Sequence, residues 1–201
     1  MRKVVYSMLV SLDGFIEGPN RELDWHVIDA EFHTFINEQQ GEFDTYLCGR
    51  RLYEVMAYWE TADQNPAAPA HELEFARIWK RTPKIVFSKT LEQVQGNARL
   101  VRDNIAAEVM KLKQQSGQNM DLGGPTLAAT FMRLGLIDEY RLFVQPVILG
   151  SGTPFFPALD HPIELEFVET HTFGSGVVYL RYQQLGLNQK ESDRPKGEDT
   201  G

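Results

Sequence analysis

The chain has 201 residues, 42% hydrophobic and 24% charged, an ordinary globular composition for one sizeable domain that needs no disulfide or metal staple. Twenty Lys and Arg against 28 Asp and Glu give a formal net charge of −8, which argues against a nucleic-acid backbone as partner. The single cysteine, Cys48, excludes an intrachain disulfide and favours a reducing compartment, and no apolar run approaches the ~20 residues that cross a bilayer. The expectation is a cytoplasmic protein that binds neither membrane nor nucleic acid.

The first apolar stretch, Val4 to Leu12, reads as a central strand covered on both faces. It carries Ser7 and Ser11, stops at Asp13 and lacks a small-residue cleavage site, which argues against a signal peptide. Phe32, Phe35 and Ile36 then stand at helical spacing within Glu31 to Gln39. Thr45 to Cys48 is a second strand, followed by Gly49 and a helix with Leu52, Val55, Met56 and Trp59 on one face. Lys84 to Ser88 is a third strand, and Ile105, Val109 and Leu112 form a helical stripe. Met120 to Leu122 is a short strand ending at Gly123-Gly124, and Leu127, Phe131 and Leu134 mark the next helix. Tyr140 to Leu149, Glu164 to Thr172 and Val177 to Gln183 are the late strands, the last two joined by the Gly-containing turn Phe173 to Gly176.

Alternation of strands and helices predicts right-handed crossovers and a three-layer α/β/α domain whose mixed sheet is mainly parallel. The absence of a helix between the last two strands predicts a C-terminal antiparallel hairpin. One domain spans residues 1–185. Residues 186–201 are almost wholly polar and read as a disordered tail.

Two places join a strand end, a glycine and a helix start. In Gly49-Arg50-Arg51-Leu52, Gly49 allows a close backbone approach, and the arginines supply bidentate donors beside the positive end of a helix. The alternative is a plain βα turn with two solvated arginines. In Gly123-Gly124-Pro125-Thr126-Leu127, the paired glycines permit close approach, Pro125 suits a first helical turn, and Thr126 adds a hydroxyl. The alternative is again a tight connection, and neither the G-x-G-x-x-G fingerprint nor a Walker loop is present. In a parallel sheet both tips lie on one edge, where they could hold two ends of a pyrophosphate. Ser88-Lys89-Thr90 at a third tip offers hydroxyls and a cation for a ribose 2′-phosphate, favouring NADPH over NADH, although a plain turn would read the same.

The series Ser11 to Ile16, Gly49 to Glu54, Phe87 to Leu91, Gly123 to Pro125 and Val147 to Phe156 occurs in that order. In this it resembles the dihydrofolate-reductase-like family, and within it the reductase domain of the bifunctional riboflavin-biosynthesis deaminase-reductase and its stand-alone relatives. The resemblance implies NADPH-dependent reduction of a small heterocyclic or sugar-linked substrate. It places Gly49, Arg50, Arg51 and Leu52 at the cofactor's phosphates, Ser88, Lys89 and Thr90 at its adenosine end, and Gly123, Gly124, Thr126 and Leu127 around the pyrophosphate. The loop Asp13 to Gly18, with Gly14 and Ile16, would cover the nicotinamide. The resemblance also implies a homodimer through the late strands. The deaminase zinc signature is absent, and one cysteine could not supply it.

The candidate proton donors are Asp13 and Asp24, the latter beside Trp25, where partial desolvation would raise its pKa. Asp13 also reads as a turn residue before Gly14, and Asp24 as a loop or helix N-terminal residue. His26 and His33 could share a helix face but have no third partner, so no metal is expected. Cys48 reads as core, and Tyr53, Tyr58 and Trp59 as packing, with Trp25 or Trp59 as candidate pocket walls. Three functions follow for testing: a reductase of a pyrimidine, pterin or similar heterocycle; the aminouracil phosphate reductase of riboflavin biosynthesis; and a nucleotide-binding module without turnover.

Overall fold

A computed structural model of the chain describes residues 1–185, and the tail from 186 lies outside the described residues. In chain order the elements are β1 (Val4–Ser11), β2 (Phe15–Glu17), α1 (Ala30–Gln39), β3 (Phe43–Gly49), α2 (Arg50–Met56), α3 (Ala70–Arg81), β4 (Lys84–Phe87), β5 (Ala98–Val101) and α4 (Ile105–Gln114). They continue with β6 (Asn119–Gly123), α5 (Pro125–Arg133), β7 (Glu139–Gln145), β8 (Thr153–Pro154), β9 (Leu165–Thr172) and β10 (Val178–Gln184).

The main sheet runs β5-β4-β3-β6-β1-β7-β10-β9. The six strands from β5 to β7 are mutually parallel, and β10 pairs antiparallel with both β7 and β9. This is the three-layer arrangement with a C-terminal hairpin that the sequence predicts. Strand alternation divides the core. Val4 and Tyr6 of β1, Leu122 of β6 and Tyr140 of β7 pack with Val109 of α4 and Phe131 of α5 on one face. On the other face Phe143 and Tyr179 pack against Phe32 of α1, while Tyr46 and Cys48 pack against Phe75 and Trp79 of α3.

Four differences from the predicted elements have local causes. The strand predicted through Leu149 stops at Gln145 because Pro146 cannot donate to the ladder. The helix after Gly49 is regular only to Met56 and tightens into a 3-10 turn over Ala57–Glu60. Helix α3 escaped notice although Phe75, Ala76, Ile78 and Trp79 give it a buried stripe. Strand β5 is a four-residue edge strand, and β2 and β8 form a separate two-stranded strap, all too short for periodicity to register.

A buried ionic cluster ties β7 to its surroundings. Glu139, fully buried, accepts from Arg141 Nε at 2.7 Å and from Arg181 Nη2 at 3.1 Å, while Arg141 Nη2 also donates to Glu42 at 2.6 Å. Burial alone would raise the Glu139 pKa, but the Arg181 and Arg141 guanidiniums outweigh it and hold the carboxyl below its usual range. The depressed folded-state pKa means that this stability is present above the unfolded value near ~4.3 and fades as pH falls through the folded one. Glu139→Ala would remove the buried carboxylate that two guanidiniums share, leaving Arg141 with Glu42 and Arg181 with Glu169, and is expected to destabilise the fold by about 2–4 kcal/mol in urea titrations at pH 7. Its deficit relative to the parent chain should shrink below pH ~4.

Candidate functional site

Parallel pairing brings the C-terminal ends of β1, β3, β4 and β6 to one edge of the sheet, and an open cleft of about 720 Å3 lies outside it. Gly49 at the tip of β3 leads into α2, and Gly124 just beyond β6 leads into α5. Gly49, Arg50, Arg51, Leu52, Gly124, Thr126 and Leu127 all line the cleft, as does Ile16 from the strap. Gly124 has φ +94° and no side-chain cap follows it, so the first-turn N–H groups of α5 have no side-chain acceptor; Pro125 takes the position that needs no N–H. At this φ a side chain would be strained, and its Cβ would sit 3.4 Å from Leu52.

The cleft's charge differs from that of the whole chain. Arg21, Arg50 and Arg51 outnumber Glu17 and Glu54 among its walls. Arg50 Nε donates to Glu54 at 2.7 Å and its Nη1 to Thr90 at 3.2 Å. Arg51 Nη2 donates to Glu17 at 2.6 Å, and Glu17 also accepts from Thr153 at 2.8 Å. A guanidinium carries five N–H donors, so these bonds orient both arginines and leave donors for a ligand. The strap holding Glu17 depends on Gly152, where a Cβ would meet the Glu17 carbonyl oxygen at 2.0 Å.

The third predicted tip stands at the rim. Thr90 reaches the cleft through Arg50. Ser88 Oγ is spent on its own turn, accepting from Thr90 N and Leu91 N, and Lys89 is exposed 3.8 Å from Asp103. Gly14, at φ +91°, turns the β1–β2 loop and accepts from Phe155 N at 2.8 Å without lining the cleft.

A second, inner cavity of about 210 Å3 lies between the sheet and helices α1, α2 and α3. Phe43, Tyr46, Phe75, Trp79 and Phe143 give it aromatic walls; Arg141, His26 and Asp121 are its ionisable polar groups, beside the Cys48 thiol. Met8 and Leu52 line both cavities and form a wall that the two share. Gly123, expected at the pyrophosphate, faces this inner cavity. Burial pushes the Cys48 thiol up to about 12, so it is an inert wall, and burial lowers the His26 pKa, favouring its neutral form. Trp25 and Trp59 line neither cavity, and Trp79 takes the wall role considered for them.

The two candidate proton donors lie apart from both cavities. Asp13 accepts from Ser11 Oγ at 2.7 Å, Leu149 N at 3.1 Å and Gly150 N at 2.7 Å. These bonds, Ser11's above all, hold its pKa below the usual carboxylate range, so it clamps the Val147–Gly150 loop as an anion. Asp24 is exposed. His26 meets Trp25 edge to face with ring centroids 4.3 Å apart, whereas the His33 ring on α1 lies 4.8 Å from that of His71. The described residues contain no group of three or more His, Cys, Asp or Glu placed to hold a metal, and no helix long and apolar enough to cross a membrane.

Sequence reading missed Glu17, Thr153, Arg21 and the inner-cavity pair Asp121 and Arg141. Asp121 left a signal: a carboxylate between Met120 and Leu122 in an otherwise apolar strand.

A family model described as the RibD C-terminal domain matches residues 2–179. The uncharacterized protein YyaP of Bacillus subtilis (strain 168) is 38% identical over 188 residues, covering 92% of this chain and 96% of that protein. Among solved structures, a Shewanella sp. PV-4 protein ascribed to riboflavin biosynthesis aligns with a TM-score of 0.69 at 20% identity, over 92% of this chain and 100% of its own. Dihydrofolate reductase from Enterococcus faecalis, complexed with NADP(H), aligns with a TM-score of 0.61 at 15% identity, over 90% and 96%. At these identities the two structural likenesses are likenesses of fold, and that fold is dihydrofolate-reductase-like.

The Glu17 side chain is 10% exposed and that of Arg51 43%. Arg51→Ala leaves this carboxylate with Thr153 alone and is expected to cost about 1–3 kcal/mol in chemical denaturation. Combining it with Glu17→Gln should recover most of that loss, as a double-mutant cycle will show.

Proposed function

The chain belongs to the RibD C-terminal domain family, and on that premise we propose that it is a cytoplasmic NADPH-dependent reductase of a small heterocycle of the pyrimidine or pterin kind. One observation carries the reading: the uncapped start of α5 behind Gly124 and the two arginines behind Gly49 open on the same cleft, which shares Met8 and Leu52 as wall residues with an aromatic-walled chamber.

The residues suit the cofactor. Backbone N–H groups at the start of α5, with Thr126 beside them, are donors for a pyrophosphate, and the helix dipole adds to them. Arg50 and Arg51 meet phosphate charge with planar, bidentate donors. Arg50 and Thr90, joined at 3.2 Å with Lys89 next in chain, are the set for a 2′-phosphate. Ile16, 3% exposed, is the apolar contact for the nicotinamide. When bound, NADPH supplies a hydride to a carbon of the substrate. The protein's part is to hold that carbon against the cofactor and limit water, a role that the aromatic walls of the chamber suit.

The chamber also bears on the substrate. Its guanidinium, Arg141, is already held by Glu139, Gln39 and Glu42. The charge of the chamber's one guanidinium among the described residues is already offset by two carboxylates, so an uncharged heterocycle suits it better than the aminouracil phosphate of riboflavin biosynthesis. Strand β9 forms the sheet's outer edge and exposes Phe167 and Val168, which supports a homodimer through the late strands. Light scattering should then give twice the chain mass.

NADPH fluorescence titration tests the cofactor. Arg50→Ala should weaken NADPH roughly 10–100-fold, the loss of one or two charge-assisted hydrogen bonds, and NADH much less; equal losses would remove the case for 2′-phosphate recognition. A protein that binds NADPH yet oxidises it with neither 7,8-dihydropterin, 7,8-dihydrofolate nor the aminouracil phosphate would be a binding module instead.

A further inference from the structure

We infer that Asp121 is the proton donor of the inner chamber, giving its carboxyl proton to the nitrogen of a substrate C=N bond while the adjacent carbon is reduced from the neighbouring cleft. The inference rests on the reductase reading above and adds the group that reading leaves unnamed.

Position is the first support. Asp121 lies two residues before Gly123 on β6, paired with Val5 of β1 and Tyr46 of β3, and strand alternation turns it away from the α4–α5 core into the chamber. Its Oδ1 is enclosed and has no hydrogen-bond partner among the described residues, a costly condition for a buried polar atom unless a ligand satisfies it.

The surrounding groups leave this role to Asp121. From β3, the Tyr46 hydroxyl already donates to Gln40 Oε1 at 2.7 Å, and burial makes the Cys48 thiol too weak an acid to give its proton near neutrality. From β7, Arg141 is committed to Glu139, Gln39 and Glu42 and has no proton to give near neutrality. His26, from the segment before α1, has its pKa lowered by burial. The walls from α3 and β1 that line the chamber, Phe75, Trp79, Ser7 and Leu9, do not titrate. Burial raises the Asp121 pKa to about 7 against the opposing pull of the Arg141 charge and a Gln40 hydrogen bond, so the carboxyl carries its proton below neutrality. The two carboxylates read from sequence lack this setting: Asp13 is held ionised, and Asp24 lies on the surface.

The step balances. A hydride with its two electrons, from a reduced nicotinamide, bonds to the C=N carbon, and the π pair moves to nitrogen. That nitrogen takes the Asp121 proton, leaving an amine, an oxidised nicotinamide and an Asp121 carboxylate that solvent reprotonates. A raised donor pKa near the working pH is what general acid catalysis requires.

Two measurements test it. Infrared difference spectra of the cofactor-free protein, parent minus Asp121→Asn, should show a protonated carboxyl at pH 5.5 that is lost towards pH 8.5; a carboxylate already at pH 5.5 overturns the inference. Single-turnover reduction of 7,8-dihydropterin by bound NADPH should be about 10²–10⁴-fold slower in D121N with NADPH affinity unchanged. The parent's rate should fall as pH rises through about 7, and the variant should lack that limb. Asp121→Ser serves if D121N does not fold. Equal rates, or NADPH bound by the parent without reduction of the dihydropterin, overturn the proton-donor role alone. Failure of the parent to bind NADPH overturns the reductase reading and the role with it.

Discussion

The structure depends on where one strand inserts. The chain runs from β1 out to β3, β4 and β5, and then returns to place β6 between β3 and β1. Parallel pairing on both sides of β6 sets Cys48 opposite Gly123 and Tyr6 opposite Leu122. The tip of β6 therefore opens between the tip of β3 and the loop that follows β1, at the place where the chain reverses its direction across the sheet. Had β6 been added beyond β5, Gly124 and Arg50 would stand several strands apart, each about 4.8 Å, and no single anion could touch both.

The same insertion explains how an acidic chain maintains a cationic cleft. Arg50 and Arg51 begin α2 directly after the β3 tip, and their partners come from different directions: Glu54 from the next helical turn and Glu17 from the strap beyond β1. These carboxylates cancel part of the charge but fix the guanidiniums, whose long side chains would otherwise lose rotamer entropy on meeting a ligand. Asp13 does similar work on the other side, clamping the backbone at Leu149 and Gly150. The carboxylates nearest the cleft thus position cations and loops, and the whole chain's net charge of −8 is compatible with a cleft whose walls hold more arginines than carboxylates.

Class, layer order, hairpin and the gathering of Gly49, Arg50, Arg51, Gly124, Thr126 and Leu127 were legible because each rests on local rules: period-two strands, helix stripes, and glycine at strand tips. What escaped depended on distant pairing. Strands β2 and β8 hold three and two residues, too few for a periodic signal, so the strap and its Glu17 became visible only when Thr153 met them across 136 positions of sequence. Gly123 and Gly124 are neighbours that read as one motif, yet alternation points the first into the chamber and leaves the second to the cleft. Asp13 attracted a catalytic reading through its place in the loop, and its hydrogen-bond partners could not be foreseen from that place.

Asp121 is the position where local sequence logic fails most clearly. Between Met120 and Leu122, both with no exposed surface, a hydrocarbon would pack without penalty. A rise in pKa from 3.8 to about 7 means that ionising this carboxyl in the folded protein costs on the order of 4 kcal/mol more than in water. Because the folded-state value is the raised one, stability falls as pH climbs from ~4 towards 7, a liability of the kind that packing alone would remove. Arg141 lines the same chamber but is held by Glu139, Gln39 and Glu42, so it eases the cost without cancelling it. Other buried polar atoms of the sheet, such as the Tyr6 and Tyr140 hydroxyls, also lack a partner, but Asp121 combines that lack with an ionisable carboxyl on a cavity wall, and such departures concentrate where chemistry is done. On the inferred proton-donor role, the burden has a purpose: a substrate nitrogen takes the hydrogen bond that Oδ1 lacks.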